Sequence, residues 1–200
     1  MYKAIIFDLG NVLLNFDYNI IINSLNNVEP GLGNKFEKLY YENYQLHEDL
    51  EKDKISVAKF TEIILFWLEK KVSPEQFYNI YSDMFNPNKD VINLLPILKN
   101  KYKLYLLSNT NYIHQKYGWE QYEFLKHFDK LILSHEVKAR KPEREIFTIA
   151  QKIVDCSPSH IFFTDDIPEY VNAAKSAGWD AVQFVGYSQL VNDLKSRNII

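Results

Sequence analysis

The sequence predicts an α/β protein in which a parallel sheet carries a helical insertion after its first strand. From Val91 to the end of the chain, short apolar runs alternate with helical patterns, as expected when helices connect parallel strands. The first apolar run, Ala4–Phe7, is separated from the second, Leu104–Leu107, by a long segment of mostly helical pattern. A sheet domain with an inserted helical domain is therefore expected.

Five short runs are predicted to form the sheet. Most are continuously apolar, which is typical of parallel strands that helices cover on both faces. The predicted strands are Ala4–Phe7, Leu104–Leu107, Leu131–Leu133, Ile161–Phe163 and Ala181–Phe184. The helices predicted around the later strands are Val91–Asn100, Ile113–Tyr122, Glu143–Val154, Val171–Ala177 and Gln189–Arg197. Pro142 is expected to organise the first turn of the helix that follows it.

The inserted segment is predicted to be helical. Phe60, Ile64 and Trp67 recur at the spacing that places side chains on one stripe of a helix. The predicted helices are Tyr18–Asn26, Asn34–Tyr44, Val57–Lys70 and Pro74–Met84, followed by the turn residues Asn86-Pro87-Asn88. We therefore predict a core domain of residues 1–15 and 87–200 and a helical domain of residues 16–86.

Charge and composition exclude several classes of function. The 200 residues carry a formal net charge of −3 with acids and bases interleaved, so no basic surface for nucleic acid is expected. Cys156 is the only cysteine, which rules out an intramolecular disulfide. No apolar run has the length of a membrane span, and the N-terminus lacks the pattern of a signal peptide. We expect a cytoplasmic protein that binds neither nucleic acid nor membranes.

Four polar signals follow predicted strands, and the carboxyl ends of parallel strands meet at one edge of a sheet. Ligands of open α/β sheets bind at that edge. In chain order the signals are Asp8, Ser108-Asn109, Lys141 and Asp165-Asp166. Carboxylates, a hydroxyl and a lysine are together suited to binding a phosphate and a divalent cation.

Each signal taken alone also has an ordinary structural interpretation. Asp8 is typical of a turn or cap, and Ser108 of a helix N-cap as much as of an anion site. Lys141 alone is most simply a surface lysine. Asp165 and Asp166 are either a capping acid with a solvated neighbour or a repelling pair that Mg²⁺ would relieve. The order of the four signals, rather than any one of them, carries the functional prediction.

That order of aspartate, serine, lysine–proline and acid pair resembles the haloacid dehalogenase-like (HAD) hydrolase superfamily. The stretches FDLGNVL, LLSNTN and RKPE are most similar to the subgroup of bacterial α-D-glucose-1-phosphate phosphatases. The resemblance covers essentially the whole chain and implies a Rossmann-like core with a small helical cap domain. It also implies a Mg²⁺-dependent phosphatase of small phosphorylated metabolites, with sugar phosphates such as glucose 1-phosphate as expected substrates.

The resemblance further implies a role for each acid. Asp8 would attack phosphorus and form an aspartyl-phosphate, so that hydrolysis proceeds in two steps. Asp8, the backbone carbonyl of Gly10 and Asp166 would hold Mg²⁺. Asp165 would contact the cation through a water molecule, or would bind one of the residues that hold it.

The resemblance also implies how the phosphate is bound. Ser108 and the backbone of Asn109 would hold phosphate oxygens, and Lys141 would hold Asp8 and the phosphate together. The cation and Lys141 would supply most of the electrostatic stabilisation.

Two positions depart from the family's pattern. Gly10 stands where family phosphatases usually carry the aspartate that moves protons to and from the leaving group. Substrates with good leaving groups, such as glycosyl 1-phosphates, are therefore favoured, or Asn11, a cap residue or a water chain replaces the acid. Tyr170 stands where the family often has Asp, Asn or Gly, so water is expected to complete part of the metal shell.

Two other functions fit the same residues. A haloacid dehalogenase uses the same aspartate on carbon without a metal, although the acid pair would oppose binding of a haloacid anion. A non-catalytic protein that binds phosphorylated metabolites would explain Gly10. Whichever of the three functions holds, we expect a monomer or weak homodimer. Residues between two helices of the insertion are candidates to face the site: Tyr44, His47, Asp49 and Lys52.

Overall fold

The computed structural model describes residues 1–200 and contains a five-stranded sheet and a two-stranded sheet. The strands are Ala4–Phe7 (β1), Leu14–Phe16 (β2), Phe85–Pro87 (β3), Lys103–Ser108 (β4), Lys130–Leu133 (β5), Ile161–Asp165 (β6) and Asp180–Gln183 (β7). The larger sheet has the order β5-β4-β1-β6-β7, and every neighbouring pair is parallel. This sheet confirms the predicted α/β fold class.

The first strand lies at the centre of the sheet because it is apolar throughout. All four residues of β1 are buried, and β1 pairs with β4 on one side and β6 on the other. Phe7 is in register with Leu106 and with Thr164. The next residue, Asp8, donates its backbone N–H to the Thr164 carbonyl at 3.0 Å. The register therefore places Asp8 at the carboxyl edge beside the ends of β4 and β6.

Eleven α-helices accompany the strands. They are Tyr18–Val28 (α1), Leu32–Glu42 (α2), Gln45–Glu51 (α3), Val57–Trp67 (α4), Pro74–Ser82 (α5), Lys89–Ile92 (α6), Leu95–Lys99 (α7), Ser134–Val137 (α8), Arg144–Val154 (α9), Pro168–Ser176 (α10) and Tyr187–Ser196 (α11). A π-helix spans His114–Trp119, and 3₁₀ turns span Glu123–His127 and Pro158–His160. None of these helices combines the length and the apolar character that a membrane span requires.

Several predicted helix boundaries were wrong for identifiable reasons. The single helix predicted over Val91–Asn100 is two short helices, because Pro96 has no N–H to bond the Ile92 carbonyl. The helix predicted to end at Tyr44 ends at Glu42, where the Asn43 amide bonds the Leu39 carbonyl. The helix α3 that follows was not predicted. By contrast, α5 begins where Ser73 and Gln76 form a reciprocal capping box.

The chain divides into two compact units. The first comprises residues 1–15, 86–109 and 123–200, and the second comprises residues 16–85 and 110–122. The boundaries lie within β2 and β3 of the two-stranded sheet and around the π-helix. Residues 110–122, which the sequence analysis assigned to the core domain, therefore belong to the helical unit.

Each unit has its own hydrophobic core. In the first unit, α9 and α10 cover one face of the sheet, with Phe147, Phe163 and Trp179 packed edge to face. In the second unit, the helices enclose Phe60 and Ile64 of the predicted apolar stripe. Ile113 belongs to this second core, which explains why its segment groups with the helical unit.

Candidate active site

Three of the sequence-predicted residues form a buried ionic cluster at the carboxyl edge of the sheet. The Lys141 ammonium lies 2.7 Å from Asp8 Oδ1 and 2.5 Å from Asp165 Oδ2. Lys141 and Asp165 are 1% and 0% exposed, and Asp8 is 6% exposed. Burying charges is costly unless they are paired. One ammonium between two carboxylates is therefore an interior ion-pair network and not a surface contact. The interpretation of Lys141 as an ordinary surface lysine is excluded.

A third carboxylate completes an oxygen-rich cluster. One carboxylate oxygen from each of Asp8, Asp165 and Asp166 lies within 4.8 Å of the others. Asp166 is half-buried and accepts a hydrogen bond from Asn11 Nδ2 at 3.0 Å. Carboxylate oxygens are the ligands that Mg²⁺ prefers, and a bound dication would offset their repulsion. The three side chains therefore fit a divalent cation, as the Asp8 and Asp166 assignments require.

Lys141 is held in place through its main chain by Asn109. The Lys141 N–H donates to Asn109 Oδ1 at 2.8 Å, and Asn109 Nδ2 donates to the Lys141 carbonyl at 2.9 Å. The peptide bond from Lys141 to Pro142 is cis. Pro142 was expected in the first turn of the next helix, but α9 begins at Arg144, so the proline lies in the loop before it. The Asn109 side chain thus orients the lysine, a role that the sequence analysis did not assign.

Ser108 lies in the strand next to β1, and Gly10 lies two residues after Asp8. Ser108 is the last residue of β4 and is 2% exposed, and its hydroxyl donates to the Asn109 carbonyl at 3.3 Å. Ser108 was expected at the start of a helix. Instead a loop of residues 109–111 follows it, and the first helical residue is Tyr112. Gly10 forms an isolated β-bridge with Leu14, two residues after Asp8.

Burial sets the protonation of the cluster in the metal-free protein. Burial raises the pKa of Asp8 to about 7, because the Lys141 ammonium offsets that effect only in part and Asp165 adds repulsion. Burial also raises the pKa of Asp166. Burial lowers the pKa of Lys141, but Asp165 and Asp8 together raise it further, so its net shift is upward and the lysine stays cationic.

The metal-free protein is expected to lose stability as the pH rises through the interval between the unfolded and folded pKa of Asp8. That pKa is 3.8 ordinarily and about 7 in the fold, so the folded state retains a proton that the unfolded chain has released. Thermal unfolding in EDTA at about pH 5 and about pH 8 measures the effect. Asp8→Asn is expected to gain more melting temperature over wild type at the higher pH than at the lower one. An equal difference at both pH values would contradict the raised pKa.

One polar candidate of the helical unit, His47, has its partners inside that unit. His47 is buried within that unit, where its Nδ1 lies 2.6 Å from the Tyr40 hydroxyl and its Nε2 lies 3.2 Å from a Glu51 oxygen. His114 is buried near it, and burial lowers the pKa of His114 to about 3. These groups form a polar network inside the helical unit. His47 is therefore an interior residue of that network.

Two contacts around Lys141 were not predicted from the sequence. Besides the Asn109 amide, the ring of Tyr170 lies over the ammonium, with its centroid 5.0 Å from Nζ. Tyr170 was noted only as a departure from the family's pattern. Its position four residues after Asp166, on the first turns of α10, was the available signal.

This chain is similar over most of its length to known hydrolases. Residues 2–178 match the haloacid dehalogenase-like hydrolases. A D-ribitol-5-phosphate phosphatase of Bacteroides thetaiotaomicron is 26% identical over 191 residues, 92% of each chain. A phosphorylated carbohydrates phosphatase of Thermotoga maritima is 25% identical over 205 residues, 97% of this chain and 89% of that one.

A solved structure extends the comparison to three dimensions. A HAD family enzyme of Bacteroides thetaiotaomicron, in complex with magnesium and inorganic phosphate, has a TM-score of 0.82 and 30% sequence identity. The match covers 95% of this chain and 99% of that one. The sheet, the cluster at its carboxyl edge and the match over most of the chain agree: the protein belongs to the haloacid dehalogenase-like hydrolases.

Proposed function

We propose that the protein is a Mg²⁺-dependent phosphatase of small phosphorylated carbohydrates, with Asp8 as its nucleophile. The observation that carries this proposal is the buried cluster of Asp8, Asp165 and Lys141 with Asp166 at its edge. A carboxylate held beside an ammonium, at the edge of the sheet where ligands bind, is placed to attack phosphorus. The three carboxylates support a phosphatase over a dehalogenase, because they would repel a haloacid anion in the absence of a cation.

The proposed reaction has two displacement steps. An Asp8 carboxylate oxygen attacks phosphorus while the bond from phosphorus to the ester oxygen breaks, and the ester oxygen takes a proton from solvent as the alcohol departs, a proton that the attacking water returns in the second step. Water then attacks the phosphorus of the aspartyl-phosphate, which releases inorganic phosphate and restores Asp8. Lys141 binds Asp8 Oδ1 throughout and balances the negative charge that gathers on the phosphoryl oxygens. Ser108 and the backbone of Asn109 are the proposed holders of those oxygens.

Asp8 and Asp166, with the Gly10 carbonyl, are the proposed ligands of Mg²⁺. When bound, the cation supplies positive charge that brings the anionic phosphate to an anionic nucleophile. Asp165 is fully buried, is paired with Lys141, and accepts the Ile167 N–H at 2.9 Å. Those contacts support Asp165 as the residue that fixes Lys141 and the loop after β6.

Small phosphorylated carbohydrates are the proposed substrates because both curated relatives act on this class. Among them we favour sugar 1-phosphates such as glucose 1-phosphate, since Gly10 provides no side chain to protonate a poor leaving group. The helical unit, residues 16–85 with 110–122, is the proposed cap. Phosphate release from hexose 1-phosphates, hexose 6-phosphates and pentitol phosphates, each with Mg²⁺, tests the proposal. Release from none of these, with chloride release from a 2-haloacid instead, would replace it with the dehalogenase.

Because Gly10 provides no acid, we expect the rate to depend strongly on the leaving group. The wild type is expected to hydrolyse an aryl phosphate about 10²-fold faster than an alkyl phosphate, because general acid help is typically worth about 10²–10⁴-fold. Gly10→Asp is expected to accelerate the alkyl ester selectively, and Gly10→Asn is the matched control without a titratable proton. Equal wild-type rates on both esters would mean that another group supplies the proton.

A further inference from the structure

The ammonium of Lys141 has an environment that its ion pairs alone do not account for. An ammonium has three N–H donors, and here the Asp8 and Asp165 carboxylates are the two hydrogen-bonded acceptors. The rings of Tyr170 and Phe163 lie 5.0 and 5.8 Å from Nζ, measured to their centroids. Two aromatic rings therefore flank the ammonium in addition to its two carboxylates.

Tyr170 is also joined to the residue that fixes the main chain of Lys141. Asn109 Nδ2 donates to the Tyr170 hydroxyl at 3.3 Å, and the same amide donates to the Lys141 carbonyl at 2.9 Å. The ring thus contacts the charged end of the lysine while its hydroxyl reaches the amide that holds the backbone end. Tyr170 therefore contacts the ammonium of Lys141 directly and contacts its main chain through the Asn109 amide.

This arrangement addresses a specific weakness of lysine as a charge donor. Its four-carbon stem is flexible and its ammonium is strongly hydrated. An unsupported lysine therefore also populates other rotamers in which the ammonium contacts water. An aromatic face attracts the cation through its quadrupole and gives no oxygen that would compete with the carboxylates. A ring over the ammonium therefore restricts the lysine to the geometry that reaches Asp8.

We propose that Tyr170 is a positioning residue for Lys141, and that its ring holds the ammonium against Asp8 and Asp165. The kinetic part of this inference rests on the proposed phosphatase function. The positional part does not, because it concerns the resting protein. The departure of position 170 from the family's usual polar residues is then a specific device of this chain and not a lost metal contact.

The test compares Tyr170→Phe, which keeps the ring, with Tyr170→Leu, which removes it. An exposed tyrosine of the same unit, Tyr187, supplies the control variant Tyr187→Leu. In protein carrying isotope-labelled lysine, the ε-methylene protons of Lys141 under a ring face are shifted upfield in the NMR spectrum, and Lys141→Met assigns the signal. We expect wild type, Tyr170→Phe and Tyr187→Leu to show that shift and Tyr170→Leu to lose it.

Turnover gives the second readout. We expect Tyr170→Leu to lower kcat about tenfold with little change in KM, and Tyr170→Phe to stay within about threefold of wild type. Equal losses in the two variants, or an unshifted lysine signal in wild type, would overturn the positioning role. A wild type that releases no phosphate but shows the ring-dependent shift would refute the proposed function while sustaining the placement of Lys141.

Discussion

Asp8→Asn is expected to reduce phosphate release by at least about 10⁴-fold, because removal of a covalent nucleophile eliminates the two-step route. Asparagine has nearly the same shape, and the site offers Asp8 a buried position at the end of β1, so the variant is expected to fold. The loss should fall on kcat, since Lys141 and Ser108, the proposed phosphate-binding residues, remain in place. Initial rates at saturating substrate and Mg²⁺ measure it.

The matched control for this substitution is Asp90→Asn, an exposed aspartate on α6 in the same unit. It removes one negative charge from the unit without touching the cluster, and wild-type rates are expected. An Asp8→Asn protein that retains more than about one hundredth of the wild-type rate would point to direct attack by water rather than by the carboxylate.

Lys141→Met is expected to lower the free energy of unfolding by about 3–5 kcal/mol, the range for removing one partner of a buried ion pair. Lys141 is 1% exposed, and its loss leaves the carboxylates of Asp8 and Asp165 facing each other without a counter-ion. Turnover is expected to fall by about 10³-fold, as when a group that stabilises transition-state charge is removed. Chemical unfolding and initial rates measure the two effects.

Two further variants separate the pairing from other causes. Lys152→Met on α9 replaces an exposed lysine and is expected to leave both stability and turnover unchanged. In the double variant Lys141→Met with Asp8→Asn, the stability loss is expected to be smaller than the sum, because the two side chains share one interaction. Additive losses would show that the ion pair is not the source of the stability.

The residues of the cluster could be predicted from the sequence because most of them lie at the ends of apolar strands, which a local pattern identifies. Ala4–Phe7 is apolar enough to be a central parallel strand, and the carboxylate that follows it must emerge at the carboxyl edge. The same argument applies to Asp165 at the end of β6 and to Ser108 at the end of β4. Lys141 was harder to place, since it follows β5 only after a helical turn and a loop.

The contacts that orient Lys141 were beyond sequence reasoning. The Asn109 amide bonds the main chain of a residue 32 positions away, and the ring of Tyr170 approaches it from a third element. Such contacts depend on side-chain rotamers and on the packing of α10, which no local pattern encodes. The prediction that residues 110–122 belong to the core domain was wrong for a similar reason, because Ile113 and His114 pack with helices distant in sequence.

Phosphate release with Mg²⁺ and with excess EDTA, over a panel of sugar phosphates, tests the proposed function most directly. We predict release that requires Mg²⁺, since three carboxylates at one edge of the sheet repel an anionic substrate when no cation is bound. We also predict faster release from hexose 1-phosphates than from hexose 6-phosphates. Release that is equally fast in EDTA, or no release from a folded protein whose melting temperature Mg²⁺ raises, would contradict the proposed function.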